Sequence, residues 1–419
     1  MIDLKKLREN PERYQQKTKE KGIDIDFTKL LQLDTNARQL KKQIDELSHQ
    51  RNTISKEIPQ LQKQGEDTSD KIAKVKEIKN QLEEKENEYK EIIEEFNSMY
   101  LKIPNPALDD VPFGESDDEN RVNSYVGEKP QFDFDPLPHY ELLEKRQMLD
   151  QQRSAKVSGA RFYYIRDGLV LLHMALLHYV VNKLVKKGFS PTLVPNLVRE
   201  KSMLATGFFP AEENEIYAVN EGEDNLYLIG TSEVSLVAQH LDETIDKEKL
   251  PLRYIGYSPC YRREAGSYGK DTKGLIRLHQ FEKVEMVSFV SPEDSEKEHQ
   301  FLLDIEEEIY QELGIHYQKI DICTGDTGFH AAKKYDLEAW FPGQDTYKEI
   351  TSCSNCTDFQ ARRANIKYKE HKEKDYLHTL NGTVISMRPL IAIVENFQTK
   401  DMKIKVPKVL QPYMGVEEI

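Results

Sequence analysis

The sequence predicts an α+β fold: an antiparallel helical hairpin at the N-terminus, then a domain built on an antiparallel sheet flanked by helices. Three observations predict it. An apolar position recurs in alternating steps of three and four through most of the first hundred residues. Short alternating runs then follow one another with few helices between them, which favours antiparallel pairing over a doubly wound parallel sheet. Finally, no G-x-G-x-x-G or G-x-x-x-x-G-K-S/T phosphate loop is present; Gly266-Ser267-Tyr268-Gly269-Lys270 is glycine-rich but has neither spacing.

The first seam runs Leu30, Leu33, Ala37, Leu40, Ile44, Leu47, then Ile54, Ile58 and Leu61, interrupted only by Arg51. Steps of three and four keep one stripe of a helix apolar, as a coiled coil requires. A polar stretch with Gly65 follows, from Gln62 to Asp70. The second seam runs Val75, Ile78, Leu82, Tyr89, Ile92, Phe96 and Met99. Two seams of similar length around a polar reversal read as a hairpin over about residues 27–101. At about 1.5 Å per residue each arm spans roughly 50 Å. Pro59 is expected to kink or end the first helix near the tip. The Lys- and Glu-rich outer faces are those of a solvated helix, and dimerisation coiled coil or spacer are alternative uses.

Ile103-Pro104-Asn105-Pro106 closes this N-terminal domain, residues 1–103. The acidic, Pro- and Gly-containing stretch 104–138 reads as a linker. Residues 139–419 read as a mixed globular domain. An apolar helix is expected over Asp167–Lys187, closed by Gly188. Strands are expected over Leu226–Ile229, Arg253–Arg262, Leu275–Phe289, Tyr317–Ile322 and Lys348–Thr351. A further helix is expected over Pro292–Leu313, with Ser291 as N-cap and Gly314 past its end.

Composition narrows the function classes. Apolar residues make up 38% of the 419 and charged residues 32%, enough for a sizeable core and an extended charged surface. No apolar run reaches the roughly 18 residues of a membrane span, and Met1-Ile2-Asp3-Leu4-Lys5-Lys6 does not open a signal peptide. A cytoplasmic protein without a membrane partner is expected. Four cysteines, Cys260, Cys323, Cys353 and Cys356, make no disulfide framework. Cys353-Ser354-Asn355-Cys356 is a lone C-x-x-C without further ligands at motif spacing, so no zinc is expected. The net charge of −14 counts against a polyanionic partner, but a local basic stripe can bind one while the rest of the surface is acidic.

The densest chemistry lies between Pro259 and Glu285. A strand ends in Tyr261-Arg262-Arg263-Glu264. A loop with three glycines and two lysines follows, and the chain returns as Leu275-Ile276-Arg277-Leu278-His279-Gln280-Phe281-Glu282-Lys283-Val284-Glu285. This brings Arg262, Glu264, Arg277, Phe281 and Glu285 near one surface. Arginine forks suit phosphate and carboxylate, an aromatic ring stacks on a base, and a carboxylate holds an ammonium or hydroxyl. An ion-paired sheet face is the alternative.

The segment resembles motif 2 of class II aminoacyl-tRNA synthetases, and the run from Ala265 through Gly274-Leu275-Ile276-Arg277 to His279-Gln280-Phe281-Glu282-Lys283 is similar to its seryl-tRNA synthetase version. Gly188-Phe189-Ser190-Pro191 with Pro195 resembles motif 1. Thr231-Ser232-Glu233 resembles the Thr-x-Glu loop that recognises serine. Glu349-Ile350-Thr351-Ser352-Cys353-Ser354-Asn355-Cys356 with Asp358-Phe359-Gln360-Ala361-Arg362-Arg363 is similar to a stretch specific to that family. Asn381-Gly382-Thr383 and Ile391-Ala392-Ile393-Val394-Glu395-Asn396 resemble motif 3, with Pro412-Tyr413-Met414-Gly415 closing. The resemblance covers nearly the whole chain, including the hairpin.

The resemblance implies a ligase that activates L-serine with ATP and passes it to tRNA(Ser), with tRNA(Sec) a further candidate. It implies a homodimer through motif 1, and tRNA contacts through the hairpin and the motif 2 loop. Arg262, Glu264 and Arg388 are the expected catalytic residues. Serine is expected at Thr231, Ser232, Glu233, Arg262, Glu285 and Thr383. ATP is expected at Arg262, Arg263, Glu264, Arg277, Phe281, Glu349, Ile350, Thr351, Ser352 and Arg388, with Mg²⁺ held through Glu349 and Ser352. Motif 3 departs from the family pattern: Thr383-Val384-Ile385-Ser386-Met387-Arg388-Pro389 is one residue short and lacks the glycine before the arginine. Pro389 suits the first position of the helix that follows. Two other readings stand beside this one: a relative that loads a carrier protein, which would lack the hairpin, and a non-catalytic coiled-coil adaptor.

Overall fold

A computed structural model describes residues 1–419 apart from 221, 223–224 and 266–272. The contacts divide the chain into two units: Leu4–Lys19 with Ile23–Ile103, and Met1–Asp3, Glu20–Gly22 and Pro104–Ile419.

The first unit is dominated by α1 (Phe27–Lys63) and α2 (Ser69–Tyr100). Asp26 caps α1, accepting from the Lys29 amide at 2.9 Å. The two seams meet as the spacing requires. Ile44, Ile78 and Leu82 form a buried cluster with Leu47, Ile54 and Tyr89, while Leu30, Leu33, Ala37, Leu40 and Phe96 are buried nearer the base. Lys29–Glu95 at 2.5 Å and Lys85–Gln43 at 2.7 Å bridge the two helices. Arg8, on a short helix over Leu4–Glu9, grips Asp34 of α1 with Nε at 2.9 Å and Nη2 at 2.6 Å. Pro59 does not end α1, which runs on to Lys63. A proline removes one backbone bond, and the next turn still closes, with the Gln64 amide donating to Gln60 O.

The second unit is built on an eight-stranded sheet. In chain order its strands are β1 (Arg121–Val126), β2 (Ser190–Leu193), β3 (Leu252–Tyr261), β4 (Gln280–Val290), β5 (Tyr317–Asp321), β6 (Lys333–Phe341), β7 (Thr346–Asn355) and β8 (His378–Ile385). The spatial order is β1-β5-β6-β7-β8-β4-β3-β2. All neighbours are antiparallel except β2 and β3, which run parallel at one edge. The expected linker is not a spacer: residues 104–138 contribute β1, paired with β5 from Arg121↔Asp321 to Val126↔Tyr317. As a largely exposed edge strand, β1 has no apolar alternation that would reveal it.

Three helices close the core: α3 (Gly168–Lys186), α5 (Ser295–Leu313) and α7 (Met387–Asn396). Two short ones follow: α4 (Glu233–Ala238), whose Glu233 reaches the cleft, and α6 (Phe359–Ala364), whose buried Gln360 packs against Glu233. Val284 and Met286 of β4, Leu337, Ala339 and Phe341 of β6, and Leu380 of β8 merge with these helices in one apolar core. Strand alternation sends the intervening residues the other way. By length and composition α3 does suffice to cross a membrane, contrary to expectation; eight of its residues are instead buried, six of them in this core. The helix expected from Pro292 begins with a 3-10 turn, and Ser291 donates to Asp294 rather than capping a backbone amide. The strand expected from Leu275 starts at Gln280. Gly274, at φ +76°, lies where a Cβ would meet the His139 ring at 2.1 Å, and His139 Nε2 accepts the Leu275 amide at 3.1 Å. These contacts turn residues 275–279 before the ladder begins.

The arm has little core beyond its seam, so Leu82→Ala should cost about 2 kcal/mol, the low end for a core leucine. Amide hydrogen exchange should quicken in α1 and α2, while β3, β4 and β8 keep their protection.

Candidate active site

The polar face of β4, β7 and β8 floors a cleft of about 580 Å³. On β4, Lys283 and Glu285 are two apart and point into it; on β8, Asn381 and Thr383 do the same. On β7 the lining residues are Glu349, Ser352 and Ser354. Glu349 and Ser352 are three apart and would face opposite ways in a regular strand. A bulge restores them to one face: β6 pairs Leu337↔Thr351 and then Glu338↔Glu349, leaving Ile350 as the extra residue. A second bulge lies between Val284↔Ile385 and Glu285↔Thr383, where Val384 is extra.

Charges line this face in alternation. Lys283 pairs with Glu285, both nearly buried, and reaches Thr383 Oγ1 at 3.3 Å. The Thr383 hydroxyl donates to Glu285 Oε2 at 2.9 Å. Burial pushes the Glu285 carboxyl up, with Lys283 opposing. Arg388 Nη1 donates to Glu349 Oε2 at 2.7 Å and to the Glu349 carbonyl at 3.2 Å. Burial alone would raise Glu349; Arg388 and Lys334 outweigh it and bring the carboxyl down to about 2. Burial would lower Lys334, but Asp336 and Glu349 hold it protonated.

Arg262 leaves the end of β3 with its guanidinium 5.4 Å from the Phe281 ring centroid and Nε 3.4 Å from Gly230 O. Its backbone is pinned by His279, whose carbonyl accepts the Arg262 amide and whose Nδ1 lies 2.9 Å from Arg262 O. Glu264 sits at φ +50° and accepts from Arg277 at 3.2 Å. A smaller neighbouring cavity is lined by Arg262, Glu264, Phe281, Ile350 and Arg388 among others. Ser386 accepts the Arg388 amide at 3.3 Å and caps α7. Pro389 is therefore the third residue of α7, not the first. It is tolerated there because first-turn amides have no intrahelical partner.

The fold thus brings Thr231, Glu233, Arg262, Glu264, Arg277, Glu285, Glu349, Ser352, Thr383 and Arg388 to one cleft, with Phe281 and Ile350 on the adjoining cavity. Ser232, Arg263 and Thr351 line neither. Ser232 turns inward and donates to Gly256 O at 3.2 Å. Thr351 lies on the core side of the bulge. Arg263 anchors by its amide to Glu215 O. The motif 2 loop expected to touch tRNA, residues 266–272, lies outside the described residues. The cleft adds residues that sequence reasoning passed over: Lys283, Lys334, His330 and Asn381. Period-two alternation points to Lys283 from Glu285 and to Asn381 from Thr383; nothing local marks Lys334 or His330.

All four cysteines are free and buried. Cys356 Sγ, Glu233 and His330 offer ligand atoms within 4.8 Å of one another. Zinc bonds of about 2.0–2.3 Å need a tighter set, and Glu233 Oε1 already accepts from Gln360 and Asn381. The three residues do not fit zinc as arranged.

Known proteins share both units. Residues 1–107 match the model of the seryl-tRNA synthetase N-terminal domain, and residues 215–397 match the class II tRNA synthetase core domain for glycine, histidine, proline, serine and threonine. The serine--tRNA ligase of Nitrosopumilus maritimus is 42% identical over 418 residues, 99% of each chain. The chain belongs to the seryl-tRNA synthetase family. The Pyrococcus horikoshii seryl-tRNA synthetase, solved in complex with ATP, aligns with a TM-score of 0.91 at 39% identity, over 100% of this chain and 99% of that one. The cytoplasmic serine-tRNA ligase of Naegleria fowleri, solved with AMP, aligns with a TM-score of 0.84 at 33% identity, over 98% and 95%. Family membership accords with the resemblance drawn from the motifs.

Lys283 and Glu285 are 7% and 2% exposed, so removing one leaves the other charge buried. Lys283→Met should destabilise the second unit by about 3–5 kcal/mol. The double variant with Glu285→Leu should recover much of this, as read by urea denaturation.

Proposed function

We propose that the protein activates L-serine with ATP and transfers the seryl group to the 3′ end of tRNA(Ser). The observation that carries this is a single cleft that holds Arg262, Lys283, Lys334 and Arg388 facing Glu233, Glu285 and Glu349, in a chain related over its full length to serine--tRNA ligases. Activation brings together two anions, the serine carboxylate and the α-phosphate. Cations fixed in advance lower that cost without reorganising during the reaction.

Arg262 would bridge the serine carboxylate and the α-phosphate, because it stands between the serine side of the cleft and the Phe281 cavity. The carboxylate oxygen then attacks the α-phosphorus and pyrophosphate departs. Arg277 and Arg388 would hold the outer phosphates. Phe281 and Arg388 would sandwich the adenine, with Glu264 toward its amino group. Glu349, ionised down to about 2, and the Ser352 hydroxyl on the same face supply hard oxygen donors that fit Mg²⁺ bound with ATP. The ion would neutralise phosphate charge there. Glu233 would take the serine ammonium, with Thr231 beside it. Glu285 and Thr383, already sharing a proton donor and acceptor, would read the hydroxyl. A pocket built to bond a hydroxyl rejects alanine because its own polar groups would be left unpaired. In the second step the terminal ribose hydroxyl of the tRNA attacks the adenylate carbonyl and AMP leaves.

The arm would provide the grip on tRNA. Arg38, Lys41 and Lys42 are each more than half exposed along α1, paired one turn away with Asp34, Asp45 and Glu46; phosphates would compete with those carboxylates for the three cations. A second copy of the chain would cover the apolar strip that α3 and the β2 edge leave to solvent: Leu171, Met174 and Val185 are 57%, 59% and 47% exposed, and Leu193 is 83% exposed. Free thiols throughout suit the cytoplasm.

ATP–pyrophosphate exchange without tRNA, against serine, threonine, alanine, glycine and cysteine, should proceed with serine alone. Arg262→Ala should lose it by at least about a hundredfold with circular dichroism unchanged. Exchange with another amino acid would overturn the substrate, and none with any would favour the adaptor reading. Light scattering should find a dimer, and Met174→Glu with Leu193→Glu a monomer. Deleting residues 30–99 should spare exchange and abolish tRNA charging.

A further inference from the structure

Glu233 reaches the cleft from the first turn of α4, 4% exposed. A carboxylate this buried keeps its charge only if its oxygens are well bonded. Two amides do this on Oε1: Gln360 Nε2 donates at 2.6 Å and Asn381 Nδ2 at 3.0 Å. Gln360 belongs to α6, is fully buried and lines no part of the cleft.

The orientation of the Gln360 amide is over-determined. Its Nε2 also donates to Thr206 O at 3.0 Å, and a backbone carbonyl can only accept. Its Oε1 takes the hydroxyl proton of Thr379 at 2.7 Å. A flipped amide would set oxygen against the Thr206 carbonyl and the Glu233 carboxylate together. The NH₂ group therefore always faces Glu233. The same two residues, Thr379 and Asn381, lie on one face of β8, so the network joins α4, α6 and that strand.

We infer that Gln360, held by Thr379 and Thr206, is a positioning residue that sets the charge and aim of Glu233 and so governs recognition of the amino group of the amino acid substrate. The inference rests on the proposed role of Glu233 toward the ammonium. Gln360 touches no substrate; it acts through Glu233.

The groups facing Glu233 fix the sign of the expected pH effect. Burial raises its carboxyl; Gln360 is the strongest opposing influence, followed by Lys283, Arg262 and Asn381. Glu285 and Cys356 also face it, and His330 Nε2 stands 3.8 Å away, its ring kept neutral by burial, which brings it to about 4. Protonation of Glu233 removes the ammonium's partner, so serine binding is lost as pH falls. Taking away the Gln360 donor raises the carboxyl further and moves that loss to higher pH.

Gln360→Met and Thr379→Val are near-isosteric and delete, respectively, the donor and the hydroxyl that orients it. In ATP–pyrophosphate exchange by the full-length enzyme, Gln360→Met should raise KM for serine about tenfold or more, as expected for a lost hydrogen bond to a charged group. KM for ATP should stay within about twofold, and the acid limb of kcat/KM for serine should move to higher pH. Thr379→Val should shift the same quantities the same way by less, and it keeps the test open if the first variant folds poorly. Unchanged serine KM and acid limb in both variants, while Glu233→Gln loses serine recognition, would overturn the inference and leave the role of Glu233 standing. Losses shared equally between serine and ATP with a stationary acid limb would also overturn it. Normal serine activation by Glu233→Gln would overturn the underlying reading instead.

Discussion

Strand parity, broken at two places beside the cleft, decides which side chains of the central sheet meet it. Each strand divides its residues between core and cleft, and the bulges at Ile350 and Val384 add one residue to the core side at each site. Without the first, Glu349 and Ser352 would face opposite ways. The second returns two successive apolar residues, Val384 and Ile385, to the core just before α7 begins. The chain then reaches Ser386, which caps α7 and sets Arg388 on its first turn. Arg388 thus enters the cleft from a capped helix start that directly follows the bulged strand.

Electrostatics depend on the same arrangement. A sheet face carrying Lys283, Glu285, Glu349 and Arg388 gains little net stability from its ion pairs, since desolvation offsets most of the attraction. The opposite face provides the compensation, with the buried apolar residues of α3, α5 and α7 against it. Rigid packing on one side therefore lets poorly solvated charges stand in fixed positions on the other. Fixed charge is what a reaction between two anions needs.

How much was legible in the sequence follows from how local each signal is. The arm was legible because a seam repeating every three and four residues is a local pattern, and Leu30 to Ile44 pack as that pattern requires. Arg262, Glu264, Glu285, Glu349 and Arg388 were legible through motif resemblance, and the fold brings them together. Thr351 and Ser232 lie inside the motifs that carry the resemblance, but alternation and the helix start turn both away from the cleft. β1 was missed because an exposed edge strand needs no apolar face. Lys334 and His330 come to the cleft from β6 and the loop before it, and no spacing in the sequence announces that approach. Pro59 shows the limit of residue rules, since one lost bond near a helix end does not stop the helix.

The cysteines carry a practical consequence. All four are fully buried, and burial raises each thiol, so little thiolate is present near neutral pH. Alkylating and oxidising reagents act on accessible thiolate. A single cysteine introduced on the exposed outer face of α1 or α2 would then be the one reactive thiol in the folded protein. A fluorophore could be attached there without first stripping the native cysteines, of which Cys353 lies within β7 and Cys356 just past its end, before α6.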